Sequence, residues 1–175
     1  MELKMTKRDF LKTVALGSAG LMLPSAKVLG ANDRINIGII GLRGKGNHHM
    51  QLFSGVPGVQ VAALCDVDSH ILDERVQAMQ EKNKVKAYTD VRNLLDDKNI
   101  DAVVIATPNH WHSLMAVWAC QAGKDVYVEK PVSHNMWEGG QIVKAAKKYK
   151  RIVQAGTQSR SDEALYQAFD YLKSG

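Results

Sequence analysis

From Ile35 onward, short apolar runs rich in β-branched residues alternate with longer stretches of helical periodicity, and this alternation constrains the fold more than any other feature. Ile35-Asn36-Ile37-Gly38-Ile39-Ile40 stops at Gly41, and a second run extends from Val59 to Cys65. Ala102-Val103-Val104-Ile105-Ala106 and Asp125-Val126-Tyr127-Val128 follow. Runs without polar alternation suit parallel strands, whose sheet is covered by helices on both faces. Lys86-Ala87-Tyr88 adds an edge strand and Ile152-Val153-Gln154 a short sixth. Strand–helix–strand repeats close through right-handed crossovers, so the expected class is α/β with a doubly wound parallel sheet.

The intervals carry helix signals. A helix from Ser69 to Glu81 would turn Ile71, Leu72, Val76 and Met79 toward one face. Asn109 stands as the N-cap of a stretch in which Leu114, Val117 and Trp118 fall at helical spacing, with Gly123 stopping it. Asn135 followed by Glu138 forms a capping box for a helix reaching about Tyr149. The cations Lys144, Lys147, Lys148, Lys150 and Arg151 then read as a solvated C-terminal end favoured by the helix dipole. A last helix is expected from Asp162 to Leu172.

Residues 1–31 read as an export signal. Thr6-Lys7-Arg8-Asp9-Phe10-Leu11-Lys12 precedes a mildly apolar stretch from Val14 to Leu23, shorter than the roughly 20 apolar residues that span a bilayer. The pattern resembles a twin-arginine signal with Lys7 in place of the first arginine. Cleavage is expected near Gly30 or Ala31, with an uncleaved anchor as the alternative, so the export machinery is a partner and the destination periplasmic or secreted. The segment holds +3 of the formal net charge of +5, which leaves +2 for the remainder. That remainder has no stripe of Arg and aromatic residues, so nucleic acid is excluded as a partner. Cys65 and Cys120 are too few for a disulfide framework and are expected buried and free.

The first strand runs into Gly41-Leu42-Arg43-Gly44-Lys45-Gly46, with a helix expected from about Asn47. A glycine-rich turn lets the backbone approach a pyrophosphate, whose charge then meets the helix N-terminal amides. The spacing departs from G-x-G-x-x-G: Arg43 takes the middle place and Gly44 is displaced by one, while Gly41 and Gly46 keep the first and third. Asp66 ends the second strand 25 residues after Gly41, where a carboxylate accepts from adenosine ribose hydroxyls. A solvated loop carboxylate is the alternative. Asp66 would repel a 2′-phosphate and so favours NAD, whereas Arg43 could pair with one, which keeps NADP open.

Ala106-Thr107-Pro108-Asn109-His110-Trp111-His112 after one strand and Glu129-Lys130-Pro131 after the next resemble the Gfo/Idh/MocA oxidoreductases. Pro131-Val132-Ser133-His134-Asn135 and Gln154-Ala155-Gly156-Thr157-Gln158 are similar to secreted bacterial members, and the resemblance covers roughly residues 33 to 175. It implies a Rossmann-type dinucleotide-binding domain over 32–158, with 159–175 starting the connection to a C-terminal substrate domain absent from this chain. It makes Lys130 the catalytic residue beside the nicotinamide, polarising a sugar hydroxyl or carbonyl, and sets Thr107, Pro108, Asn109, His112 and Glu129 along the cofactor. It also implies a cis peptide at Pro131. Asn109 would then serve as both cap and cofactor contact.

A metal is not expected, because His110 and His112 are two apart and helical ligand pairs are usually three or four apart, with His48 and His49 lying elsewhere. Trp111 and Trp118 are assigned to packing. The implied activity is hydride transfer between the nicotinamide and a sugar, polyol or glycoside. An NAD-dependent glycosidase using transient oxidation and elimination is one alternative, and a truncated, non-catalytic nucleotide-binding remnant is another. A homo-oligomer is left open for a full-length form.

Overall fold

In the computed structural model, which describes residues 34–80 and 84–175, strand β1 (Ile35–Ile40) lies inside a six-stranded sheet. The other strands are β2 (Val59–Cys65), β3 (Lys86–Tyr88), β4 (Ala102–Ile105), β5 (Asp125–Glu129) and β6 (Val153–Gly156), in the order β3-β2-β1-β4-β5-β6. Every pairing is parallel, as the uniformly apolar runs require. The sixth strand begins one residue later than expected and runs on to Gly156. The export reading of residues 1–31 lies outside the described residues, among which no helix is long and apolar enough to cross a membrane.

Alternation along β1 divides the core. Ile37 and Ile39 join a cluster with Met50 of α1 (Gly44–Ser54) and with Leu72 and Met79 of α2 (Ser69–Gln80). Ile40 faces the other side, against α3 (Val91–Asp96), α4 (His112–Gln121) and α5 (Met136–Tyr149). Successive strand side chains point to opposite faces, so one strand supplies both clusters. Gly38 is where α3 presses closest: a Cβ there would lie 2.9 Å from Leu94 Cδ2.

The helices differ from the sequence expectation in detail. The six-residue α3 was not anticipated; its signal is Asp90, whose side chain accepts from Arg92 N, followed by the buried pair Leu94-Leu95. On α4 the buried side chains include Met115, Ala116, Ala119 and Cys120, whereas Leu114 is exposed and Val117 and Trp118 are only partly covered. Small residues let α4 sit close to the sheet and α5, and that selects the buried stripe. The capping box of α5 forms with altered partners: Asn135 Oδ1 accepts from Glu138 N, while Glu138 reaches the Asn135 side-chain amide and His134 N. Gly123 stops α4 at φ 78°, as expected. Asp162 caps α6 (Glu163–Lys173), which buries no residue and leaves Leu165, Tyr166, Phe169 and Leu172 exposed.

Edge strand β3 is secured by Asp97, which follows α3. Its carboxylate accepts from Lys86 Nζ at 2.7 Å, Tyr88 Oη at 2.8 Å and both the backbone and side-chain amides of Asn99. The Lys86 ammonium and the Asn99 amide outweigh burial and hold the carboxyl well below the usual range. A lowered folded value stabilises the protein above the unfolded value, near 4, and that stabilisation disappears as pH falls through the folded value. Asp97→Asn is therefore expected to cost about 1–3 kcal/mol at neutral pH and to flatten the acid limb of stability below about pH 4, measured by urea unfolding at stepped pH.

Candidate functional site

The winding of the sheet reverses between β1 and β4, adjacent strands whose connections lead to opposite edges of the sheet. Open α/β sheets hold ligands in the crevice beyond the carboxyl ends at such a switch point. Gly41, Asp66, Thr107 and Lys130 each stand just past a strand's carboxyl end here, as the order of motifs requires.

Helix α1 starts at Gly44, three residues before the expected Asn47, with Arg43 as its extended N-cap residue. The displaced glycine thus opens the helix within an intact turn. A Cβ on Gly41, where φ is 83°, would meet Ala106 O at 2.8 Å, and one on Gly46 would lie 1.7 Å from Gly41 O. Gly44 has nothing within 4 Å of its Cβ position. Gly41 and Gly46 are therefore dictated by backbone contact, while Gly44 opens onto free space. The first amides of a helix lack intrahelical acceptors, so the turn presents donors and partial positive charge to an anion.

Asp66 belongs to this turn and is not a solvated loop carboxylate. Oδ2 accepts from Leu42 N at 2.8 Å and Oδ1 from Asp68 N at 3.0 Å, which ties the end of β2 to the glycine loop. A carboxylate has about four acceptor positions, so two such bonds leave capacity for ribose hydroxyls. The Arg43 guanidinium is paired with Asp68, with Nη2 2.5 Å from Oδ2.

Both Arg43 and Asp66 line a cleft of about 720 Å³, together with Gly41, Thr107, Pro108 and Trp111. Trp111, assigned to packing from the sequence, is 40% exposed and forms part of this wall. Asn109 does not cap α4: a short 3₁₀ turn, Asn109–Trp111, precedes that helix, and no side-chain capping bond forms. Cys65 lines the cleft as a neutral thiol, its pKa pushed up to about 12 by burial and then by the charges of Asp66 and Asp90. Cys65 and Cys120 are both buried and free.

His112 lies beneath the site, 1% exposed, with Nδ1 2.7 Å from Pro131 O and Nε2 2.8 Å from Thr107 O. It clamps the turn after β4 to the turn after β5. Glu129 is likewise buried, against His49 Nε2 at 2.6 Å, Gln158 Nε2 at 2.5 Å and Lys130 N at 3.1 Å. Burial alone would raise its pKa, but the bonds from His49, Gln158 and the Lys130 amide outweigh it and hold the carboxyl below the usual range. Lys130 itself is exposed, and the Lys130–Pro131 peptide is cis. The sequence offers His49 only as a histidine weighed for a metal, Gln158 only as the last residue of a motif, and Asp68 only through its position two residues past Asp66; none of them is assigned this role there.

A family model described as "Oxidoreductase family, NAD-binding Rossmann fold" matches residues 35–157, from β1 to the end of β6. The chain belongs to the Gfo/Idh/MocA oxidoreductase family. Among its relatives, a protein of Shewanella pealeana named Glycosyl hydrolase family 109 protein is 32% identical over 172 residues, covering 83% of this chain and 38% of that protein. An inositol 2-dehydrogenase of Salmonella paratyphi B is 34% identical over 145 residues, covering 81% and 42% respectively. The crystal structure of myo-inositol 2-dehydrogenase from Lactobacillus plantarum superposes with a TM-score of 0.72 at 30% identity, over 81% of this chain and 42% of that one. The chain thus spans about two fifths of the length of these Gfo/Idh/MocA relatives.

The glycine cradle, the acceptors at Asp66 and the cleft between them fit the nicotinamide dinucleotide this family binds. Among the described residues, no group of three or more His, Cys, Asp or Glu is arranged to hold a metal ion.

Proposed function

We propose that this chain is the nucleotide-binding part of an NAD-dependent oxidoreductase acting on a sugar-like polyol by hydride transfer. The observation that carries the proposal is the clamp made by His112, which holds the Lys130 turn against the turn that walls the dinucleotide cleft. A bound nicotinamide supplies the hydride acceptor or donor. Lys130, exposed at the end of β5, would carry the proton at Nζ, giving it to the carbonyl oxygen as hydride arrives on reduction and taking it back from the hydroxyl as hydride leaves on oxidation. Thr107 and Pro108 would flank the dinucleotide, and Asp66 would accept from its ribose. His112 and Glu129, buried and already bonded, would act by holding the two turns.

Charge at the cleft supports NAD over NADP. Two guanidiniums, Arg43 and Arg92, line it with three carboxylates, Asp66, Asp68 and Asp90. Each guanidinium is paired, Arg43 with Asp68 and Arg92 with Asp90, which leaves Asp66 to face a 2′-phosphate. Asp68→Asn frees Arg43 and is expected to narrow the preference for NAD by about fivefold, the worth of an exposed ion pair, measured by competitive titration of both cofactors.

Relatives named as glycosyl hydrolases support a second reading, in which the sugar is oxidised transiently, the glycosidic bond is eliminated and the cofactor is restored. Mixing the protein with NAD and cyclic polyols, and separately with aryl glycosides, distinguishes the two. NADH accumulation marks the first reading, and aglycone release without net cofactor change marks the second. Thr6 to Lys12 supports export of the protein, and its recovery from the periplasm or medium tests that part of the proposal.

A further inference from the structure

The turn that carries Lys130 is held from behind by a buried polar chain reaching it from the glycine-turn helix. Glu129 Oε2 accepts the Lys130 backbone N–H, while Oε1 faces His49 Nε2 and accepts from Gln158 Nε2. His49 and Glu129 are 2% and 4% exposed. An ionised carboxylate only accepts, so the His49 proton facing it sits on Nε2. The other ring nitrogen, Nδ1, is buried without any hydrogen-bond partner. Leucine at this position would bury no unsatisfied atom, so packing against Tyr127 and Phe53 does not account for an imidazole here. The bond to Glu129 does.

We propose that His49 is a positioning residue for Lys130. Its Nε2–H fixes Oε1 of Glu129, which leaves Oε2 aimed at the Lys130 amide and sets the direction in which the chain leaves β5. Gln158 closes the arrangement from the far side by donating also to Tyr127 Oη, and Gly156 permits it, since a Cβ there would meet Tyr127 Oη at 3.0 Å and Glu129 Cδ at 3.2 Å. His49 lies on α1, whose first residue is Gly44, so the same helix that presents the glycine turn also sets the lysine turn. The functional weight of this link rests on the proposed roles of that turn and of Lys130.

The test uses the full chain without dinucleotide, so its outcome is separate from that of the cofactor proposal. Proton–nitrogen correlation of the histidine rings is expected to show His49 protonated at Nε2 and bare at Nδ1, with the assignment made from the signal lost in His49→Gln. Hydrogen exchange at the Lys130 amide is expected to quicken about tenfold in His49→Asn, whose shorter amide cannot reach Glu129, while Ile39 and Val104 keep their protection. His49→Gln, whose amide nitrogen can reach the place of Nε2, is expected to restore exchange to within about threefold of the native rate. A ring whose only proton sits on Nδ1 overturns the proposal. So does Lys130 exchange that is unchanged in His49→Asn, or equally fast in the Asn and Gln variants. Should His49→Asn also lose protection at Ile39, the native ring tautomer and the Gln variant decide the matter.

Discussion

Gly46→Ala is expected to abolish dinucleotide binding and to destabilise the domain by about 3 kcal/mol or more, the upper range for overpacking. The added Cβ would lie 1.7 Å from Gly41 O, a backbone atom that cannot swing aside as a side-chain tip would. Relief requires α1 to move away from the end of β1, which takes the helix amides out of the turn that presents them to a phosphate. The loss should therefore appear in binding as well as in thermal unfolding. Gly140→Ala in α5 provides the control: nothing lies within 4 Å of its Cβ position, and alanine in a helix interior should stabilise by about 0.5–1 kcal/mol with binding unchanged.

Asp66→Ala is expected to weaken NAD binding by about 10- to 100-fold, as removal of a charged acceptor usually does. Two effects combine. The ribose loses its acceptor, and the Leu42 and Asp68 amides lose the carboxylate that ties the glycine loop to β2. Asp66→Asn separates them: it keeps an oxygen for one amide but removes the charge, so it should fall between the two chains in NAD affinity and bind NADP relatively better. Calorimetric titration of the three proteins with both cofactors checks the order.

Much of this site was legible because its signals are local. Strand runs ending at Gly41, Asp66, Thr107 and Lys130 identify the carboxyl edge of the sheet, and the sheet order follows from a doubly wound crossover pattern. What the sequence could not give depends on contacts between segments distant in the chain. His49 and Glu129 are 80 positions apart, and neither residue type signals the other. Helical spacing alone does not show which side of α4 is buried: Val117 and Trp118 pack at the margin of the core and Leu114 is exposed, while close helix packing buries Ala116 and Ala119. Asn109 has the composition of a cap, but the 3₁₀ turn after Pro108 delays the helix until His112. Arg43 looked free to meet a phosphate until the fold brought Asp68 against it.

The central claim is that the cleft between the glycine turn, Asp66 and Thr107 holds NAD, and calorimetric titration of the chain with NAD and then NADP tests it most directly. The account predicts saturable one-to-one binding of NAD, with NADP weaker by about tenfold because Asp66 repels a 2′-phosphate while Arg43 is paired with Asp68. A folded chain that takes up neither dinucleotide, or that binds NADP more tightly than NAD, would contradict it.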